Sequence, residues 1–199
     1  MIFTPFYNIN LAPALIKLNV KGDKMIEIEK TYLVKYLPEE LGKCKSKEIF
    51  DLYLPASSPH PQIRIRKNGD QYEITKKTQI DPNDASYLTE ETIKLSEAEF
   101  NALKEAKGKS VRKIRYYYEY EGNMGEIDVF QDDLKGLVLA EFEFKSHDKK
   151  DVHELPEFCL ADATQDDTFA GGLIAGKSYG DIENELKVYG YKKLHIKES

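Results

Sequence analysis

The chain has 199 residues, of which 41% are apolar and 32% are charged, and its formal net charge is −6. This length and apolar content suit one packed domain, alone or with an appendage, and exclude wholesale disorder. The negative balance argues against a general nucleic-acid or membrane-surface binder, because such proteins carry a basic excess. We therefore expect no nucleic-acid partner and no membrane partner, and the sequence leaves the oligomeric state open.

The beginning of the chain differs from the rest. Residues 1–24 are apolar in places, but they lack the basic region and the cleavage site of a secretory signal, and no stretch approaches the roughly 20 apolar residues of a membrane span. Two cysteines, Cys44 and Cys159, give neither a disulfide framework nor a zinc spacing. We predict a cytoplasmic protein with an N-terminal extension at 1–24 and a domain at 25–199.

From Met25 onward, apolar and polar residues alternate with period two, which indicates β-strands. Eight strands are predicted, at 26–34, 47–54, 62–67, 71–79, 86–95, 111–121, 124–131 and 137–146. Helices are predicted at 37–43, 97–107 and 179–189, and the second begins with a capping box of Ser96 and Glu99. The pattern predicts an α+β fold, an antiparallel β-barrel of eight strands with a few flanking helices.

Charged side chains occupy one face of most predicted strands, opposite apolar residues. A solvated face explains any one strand, because antiparallel sheets often expose one face to water. Across the strands, however, the charges segregate by sign, since two strands carry paired bases and three carry paired acids. If apolar residues face outward under helices, these charges point into the barrel lumen. The bases are Arg64, Arg66, Lys77, Lys113 and Arg115, and the acids are Glu27, Glu29, Glu90, Glu126, Asp128, Glu141 and Glu143.

Such a lumen cannot be dry, because each unpaired buried ion costs several kcal/mol. Water, ion pairs between strands, or a polyanion bound with metal ions would each lower that cost. The bases suit a phosphate chain, which arginine can bind through two parallel hydrogen bonds. The carboxylates suit Mg²⁺ or Mn²⁺, which take oxygen ligands and are commonly shared with substrate phosphates.

With this pattern of charged strands, the sequence resembles the CYTH family, the triphosphate tunnel metalloenzymes, from about Met25 to about Gly172. The opening Glu-x-Glu-x-Lys motif of the family corresponds to EIEKT at 27–31, and its paired-arginine strand corresponds to IRIR at 63–66. The Thr-x-Lys strand corresponds to TKK at 75–77, and the basic strand to VRKIRYYY at 111–118. The most specific match is EIDVFQDDLKGLVLAEFEF at 126–144, which resembles the acidic strand pair of the family.

The resemblance implies an eight-stranded triphosphate tunnel and a metal-dependent hydrolase of inorganic triphosphate or of another triphosphate, with Mg²⁺ or Mn²⁺ as cofactor. A triphosphate-containing small molecule would be its partner. Under this hypothesis the five bases bind substrate and the seven acids divide between holding the metal and orienting water. The residues expected to be catalytic are Glu27, Glu29, Lys113 and Arg115.

Three positions depart from the family pattern. Thr31 stands where the opening motif has lysine, Thr92 where strand five has a second acid, and Thr168 where a base is usual. Two lost bases weaken phosphate neutralisation, and a lost acid weakens a metal contact. A non-catalytic polyphosphate- or nucleotide-binding module is therefore the alternative function. A class IV-type adenylyl cyclase is a lesser alternative, because nothing in the sequence identifies a pocket for a nucleoside base.

Residues 171–178 match the Gly-x-x-x-x-Gly-Lys-Ser pattern of a P-loop. That loop requires a buried strand before it, within a parallel sheet, and residues 164–170 make a poor buried strand. We predict instead that the glycines let this segment pack across a barrel mouth and that Ser178 caps the last helix.

Overall fold

The computed structural model describes residues 25–195, so the predicted N-terminal extension at 1–24 lies outside the described residues. The strands within this range are β1 (Met25–Val34), β2 (Ser46–Leu54), β3 (Ile63–Asn68), β4 (Gln71–Asp81), β5 (Asp84–Leu95), β6 (Lys109–Tyr120), β7 (Asn123–Phe130), β8 (Val138–Glu143) and β9 (Cys159–Asp162). The α-helices are α1 (Glu97–Lys104), α2 (His147–Asp151), α3 (Gly171–Ile174) and α4 (Glu183–Val188). Short 3₁₀ helices lie at Glu39–Lys43, Asp132–Leu134, Asp167–Phe169 and Tyr179–Ile182.

Strands β1 to β8 form a closed antiparallel barrel. Their order is β5-β4-β3-β2-β6-β7-β8-β1, and β1 returns to β5 through pairs that run from Met25↔Glu90 to Ile28↔Tyr87. Closure leaves no free edge among these strands, and alternate residues of each strand point into the lumen. The predicted α+β fold with an eight-stranded antiparallel barrel is confirmed.

The predicted elements differ from the observed ones mainly after β8. The capping box of Ser96 and Glu99 begins α1 as predicted, whereas the last predicted helix is a 3₁₀ turn followed by α4. The sequence analysis missed β9, which pairs with Tyr32–Val34 of β1 beyond the point where β5 leaves it. Four residues are too few to show a period-two pattern, so only the pairing with β1 reveals this strand.

Apolar residues pack on the outside of the barrel under helices and loops. Ile65 and Leu52 lie beneath Phe100 of α1, and Tyr32 and Phe142 lie in a second cluster with Phe158. Burying each such side chain fully contributes about 1.5–3 kcal/mol. These clusters leave the inner face of the same strands to the polar residues that alternate with them.

At one end of the barrel the lumen itself is apolar. Leu33, Phe130 and Leu139 continue the inward rows of β1, β7 and β8, and they pack in one cluster with Phe169 and Ile174. The segment after β9 therefore plugs this end. Since the plug excludes water there, the charged side chains are confined to the rest of the lumen.

The segment with the P-loop pattern lies against the barrel mouth, as predicted. The 3₁₀ helix Asp167–Phe169 precedes it where a P-loop requires a strand. A side chain at Gly171 would collide with the hydroxyl of Tyr53, so the close approach requires glycine. Ser178 caps the 3₁₀ helix that leads into α4, and Asp181 bonds back to the amide of Ser178. None of the helices in residues 25–195 is both long and apolar enough to cross a membrane.

Candidate functional site

The barrel encloses a cavity of about 1480 Å³, walled by the inward faces of the strands. All five predicted bases line it, namely Arg64, Arg66, Lys77, Lys113 and Arg115. Six of the seven predicted acids also line it, namely Glu27, Glu29, Glu90, Glu126, Glu141 and Glu143. Asp128 points the same way but is fully buried beneath the cavity wall. The structure thus brings together the charged residues that were predicted from strand alternation.

Lys77 is the centre of the first charged cluster. Its ammonium lies 2.5 Å from a carboxylate oxygen of Glu27, 3.2 Å from Glu29 and 3.8 Å from Glu90. These acids come from β1 and β5, which meet only because the barrel closes. Burial raises the pKa of Glu27 to about 7, Glu29 and Glu90 add to the rise, and Lys77 opposes it. Lys77 faces all three acids and Arg64 lies 3.8 Å from Glu90, so the cluster still has more acids than bases.

Arg115 is the centre of the second cluster. It forms two hydrogen bonds with Asp128, of 2.7 and 2.5 Å, and one of 2.8 Å with Glu141. Glu126 and Lys113 complete the cluster through short contacts to Arg115 and Asp128 respectively. Burial alone would raise the pKa of Glu141, but Lys113 and Arg115 outweigh it and lower this pKa to about 2.

Asp51 is a lumen residue that the sequence analysis missed. Its carboxylate accepts hydrogen bonds of 2.6 and 2.8 Å from Nε and Nη2 of Arg66. Burial would raise the pKa of Asp51, but the charge of Arg66 outweighs it and holds the pKa below its usual range. The available signal was an acid between Phe50 and Leu52, in the otherwise apolar stretch at 49–54. Without the β2–β3 register, that signal identifies no partner.

Two pairs of acids face each other directly across neighbouring strands. Glu126 is in register with Glu141, and Glu29 is in register with Glu143. Like charges opposite each other destabilise a sheet unless a cation lies between them. Arg115 bridges the first pair, whereas Glu143 forms no ion pair with any residue in the range 25–195. Glu143 is exposed toward the open part of the lumen, where partial desolvation and the nearby acids Glu126 and Glu29 raise its pKa and Lys77 opposes them.

The three positions that depart from the family pattern differ in their surroundings. Thr31 lines the cavity and is in register with Glu141. Thr92 shares a 2.8 Å hydrogen bond with Thr75 and donates one of 2.7 Å to Glu90. Thr168 lies in the 3₁₀ helix at the mouth, outside the cavity lining. Of the three substitutions, the one at Thr31 removes a base from the lumen wall itself.

The wall as a whole carries more acids than bases. Besides the predicted residues, the cavity lining includes Lys145 and the acids Asp51, Glu73, Asp166 and Asp167. Within residues 25–195, no group of three or more acids, histidines or cysteines is arranged to hold a metal ion. The donor chemistry nevertheless fits a hard divalent cation, because Glu27, Glu29 and Glu90 already converge on one ammonium.

Comparison with known proteins identifies the type of barrel. No family model matches the chain. An inorganic triphosphatase of Nitrosomonas europaea is 28% identical over 153 residues, which make up 76% of this chain and 97% of that protein. A crystal structure of an inorganic triphosphatase is 27% identical, with a TM-score of 0.57 over 76% of this chain and 95% of the other. The chain is thus similar in sequence and in fold to an inorganic triphosphatase, in agreement with its resemblance to the triphosphate tunnel (CYTH) family.

A second crystal structure, of a protein called hypothetical, matches equally well, with 26% identity and a TM-score of 0.57 over 76% of this chain and 99% of that chain. The match covers nearly all of that protein, and the remaining quarter of this chain has no counterpart in it.

Proposed function

We propose that the chain hydrolyses a phosphoanhydride bond of inorganic triphosphate, or of another triphosphate, inside the tunnel. The observation that carries this proposal is the lumen wall, where five bases and six acids face one cavity in a barrel similar to that of an inorganic triphosphatase. A phosphate chain is the ligand that needs both many cationic donors and shared metal ligands. In the reaction water attacks a terminal phosphorus, the bond to the bridging oxygen breaks, and orthophosphate and a shortened phosphate chain leave.

The bases would bind and orient the phosphate chain. Arg64 and Lys77 approach the cavity from β3 and β4, and Lys113 and Arg115 approach it from β6. Because charge develops on the transferred phosphoryl oxygens, Lys113 and Arg115 are the proposed stabilisers of that charge. Glu27 and Glu29 are the proposed residues that orient the attacking water, in the part of the lumen where acids outnumber bases.

A divalent cation, Mg²⁺ or Mn²⁺, is part of the proposal. Glu27, Glu29 and Glu90 would hold it in place of Lys77, and Glu143 would extend the ligand set across the β1–β8 pair. Its chemistry would be to neutralise the acids and to polarise phosphoryl oxygens. Without such a cation, a wall with more acids than bases repels a polyanion. Glu126, Glu141 and Asp128 support this site mainly by fixing Arg115 and Lys113.

Thr31 favours one alternative function, a non-catalytic module that binds polyphosphate or a nucleotide. The missing lysine removes a cation from the lumen wall, yet the other five bases that could bind phosphate remain. Binding would then persist while phosphoryl transfer slows. We further propose a cytoplasmic location, which the free thiols of Cys44 and Cys159 support, without a nucleic-acid or membrane partner.

The test measures phosphate release from tripolyphosphate with Mg²⁺ and with Mn²⁺, and calorimetric binding on the same samples. We expect metal-dependent turnover that is lost in Lys77→Met and retained in Lys76→Met, whose side chain lies on the other face of β4. Binding without turnover would select the non-catalytic alternative. Neither binding nor turnover would show that the chain shares the fold of the family without its function.

A further inference from the structure

The two arginines of β3 differ in what their guanidinium groups contact. Arg66 uses Nε and Nη2 to bind both oxygens of Asp51, and the two side chains are 8% and 1% exposed. Such a pair is geometrically rigid, because a planar fork of two donors meets a planar carboxylate. Only Nη1 of Arg66 takes no part in it. Arg66 therefore cannot offer the same two-donor edge to a phosphate group while the pair persists.

Arg64 has the opposite surroundings. Its Nε is buried and makes no hydrogen bond within residues 25–195, and its Nη2 lies 3.8 Å from Glu90. A buried donor without a partner costs about 1–3 kcal/mol, so a ligand that accepts from it recovers that cost. Arg64 also lines the cavity. Nε of Arg64 thus lacks the carboxylate that Nε of Arg66 has in Asp51, and because this atom is buried, the guanidinium must turn before a phosphate group can accept from it.

We propose that Asp51 is a positioning residue that holds Arg66 in the lumen wall, so that Arg64 binds the phosphate chain through two donors and Arg66 through Nη1 alone. This assignment rests on the proposed function and specifies which arginine edge recognises phosphate. Asp51 neutralises a cation next to Arg64 on the same strand face. The pair thereby keeps two neighbouring guanidinium groups apart before any anion is bound.

The first test uses the unmutated chain. In ¹⁵N-labelled protein, with Arg64→Lys and Arg66→Lys used only for assignment, the Nε–H of Arg66 should exchange with solvent at least about tenfold more slowly than that of Arg64 before ligand is added. Addition of tripolyphosphate with Mg²⁺ should shift the Nε–H signal of Arg64 and leave that of Arg66 nearly unchanged. A larger shift for Arg66 would overturn the assignment and leave the proposed function intact. Absence of binding, with neither signal shifting, would overturn both.

The second test is a double-mutant cycle on the affinity for tripolyphosphate. Asp51→Asn should weaken binding about tenfold in the wild-type background and less than twofold in Arg66→Met, because its effect passes through Arg66. A structural role alone would lower the melting temperature in both backgrounds without this coupling. Equal losses of affinity in the two backgrounds would contradict the positioning role. The exchange measurement decides the matter if Asp51→Asn does not fold.

Discussion

Arg115 of β6 and Asp128 of β7 lie directly opposite each other in the barrel, and their side chains meet in a pair of hydrogen bonds of 2.7 and 2.5 Å. Asp128 is 0% exposed, so the pair lies in the wall of the lumen beneath the cavity. Since Lys113 also contacts Asp128, one buried carboxylate orients two of the bases that face the proposed substrate. The floor of the site is therefore a fixed set of ion pairs.

We expect Asp128→Asn to lower the free energy of unfolding by roughly 3–5 kcal/mol, because it leaves the buried ammonium of Lys113 without its counter-ion and removes one of the acids that bind Arg115. The matched control is Asp132→Asn, which breaks an exposed pair with Arg112 and should cost less than about 1 kcal/mol. Urea unfolding of both variants measures the difference. Similar losses in the two variants would show that Asp128 has no special role in the lumen wall.

Thr31→Lys should raise kcat/KM for tripolyphosphate at least about tenfold if the missing lumen base limits turnover. The new ammonium would enter the cavity beside Glu141, with which residue 31 is in register. Thr31→Met has a similar length without the charge and serves as the control. A gain that Thr31→Met reproduces would mean that side-chain volume, and not charge, limits the reaction.

Glu90→Gln should weaken Mn²⁺ binding at least about tenfold, because Glu90 is one of three acids that converge near Lys77. The neighbouring Glu91 is in register with Lys76 and points to the other face of β5, so Glu91→Gln should leave the affinity within about twofold. Titration of Mn²⁺ followed by electron paramagnetic resonance measures both. Unchanged affinity in Glu90→Gln would exclude this acid from the metal ligands.

His153 is half-buried against Phe142 and Phe144 and shares a hydrogen bond of 2.9 Å with the hydroxyl of Tyr32. Burial lowers the pKa of His153 below its usual 6.5, and Lys30 adds to the effect. The unfolded chain therefore takes up the proton first as the pH falls. The contribution of His153 to the free energy of unfolding should therefore decrease as the pH drops below about 6.5, whereas Glu27, with its pKa raised to about 7, contributes in the opposite direction.

The variant His153→Gln should lose the contribution of His153, so its free energy of unfolding should rise relative to that of the wild type as the pH falls through about 6.5. The exposed His195 provides the control, and His195→Gln should keep the slope of the wild type. Chemical unfolding at several pH values between about 5 and 7 compares the three proteins. An unchanged slope in His153→Gln would place the responsible group elsewhere.

The sequence by itself determined which face of each strand carries the charges of the lumen wall, apart from Asp51. Alternation along a strand is a local property. It therefore predicts that Glu27 and Glu29 share one face, and likewise Arg64 and Arg66, before any partner strand is known. Turn signals and the capping box at Ser96 likewise depend on near neighbours in the chain. For that reason the number of barrel strands and the charged wall of the cavity were predictable.

The tertiary structure alone decided which charge meets which. Lys77 reaches Glu29 across 48 positions of sequence, because closure of the barrel brings β1 against β5 and hence close to β4. Arg66 contacts Asp51 because the register of β2 with β3 places the two residues opposite each other. A shift of that register by one residue would point Asp51 away from the lumen. Ion pairs of this kind depend on register and on closure. Both are set by the packing of the whole barrel, and neither is encoded in any short stretch of the chain.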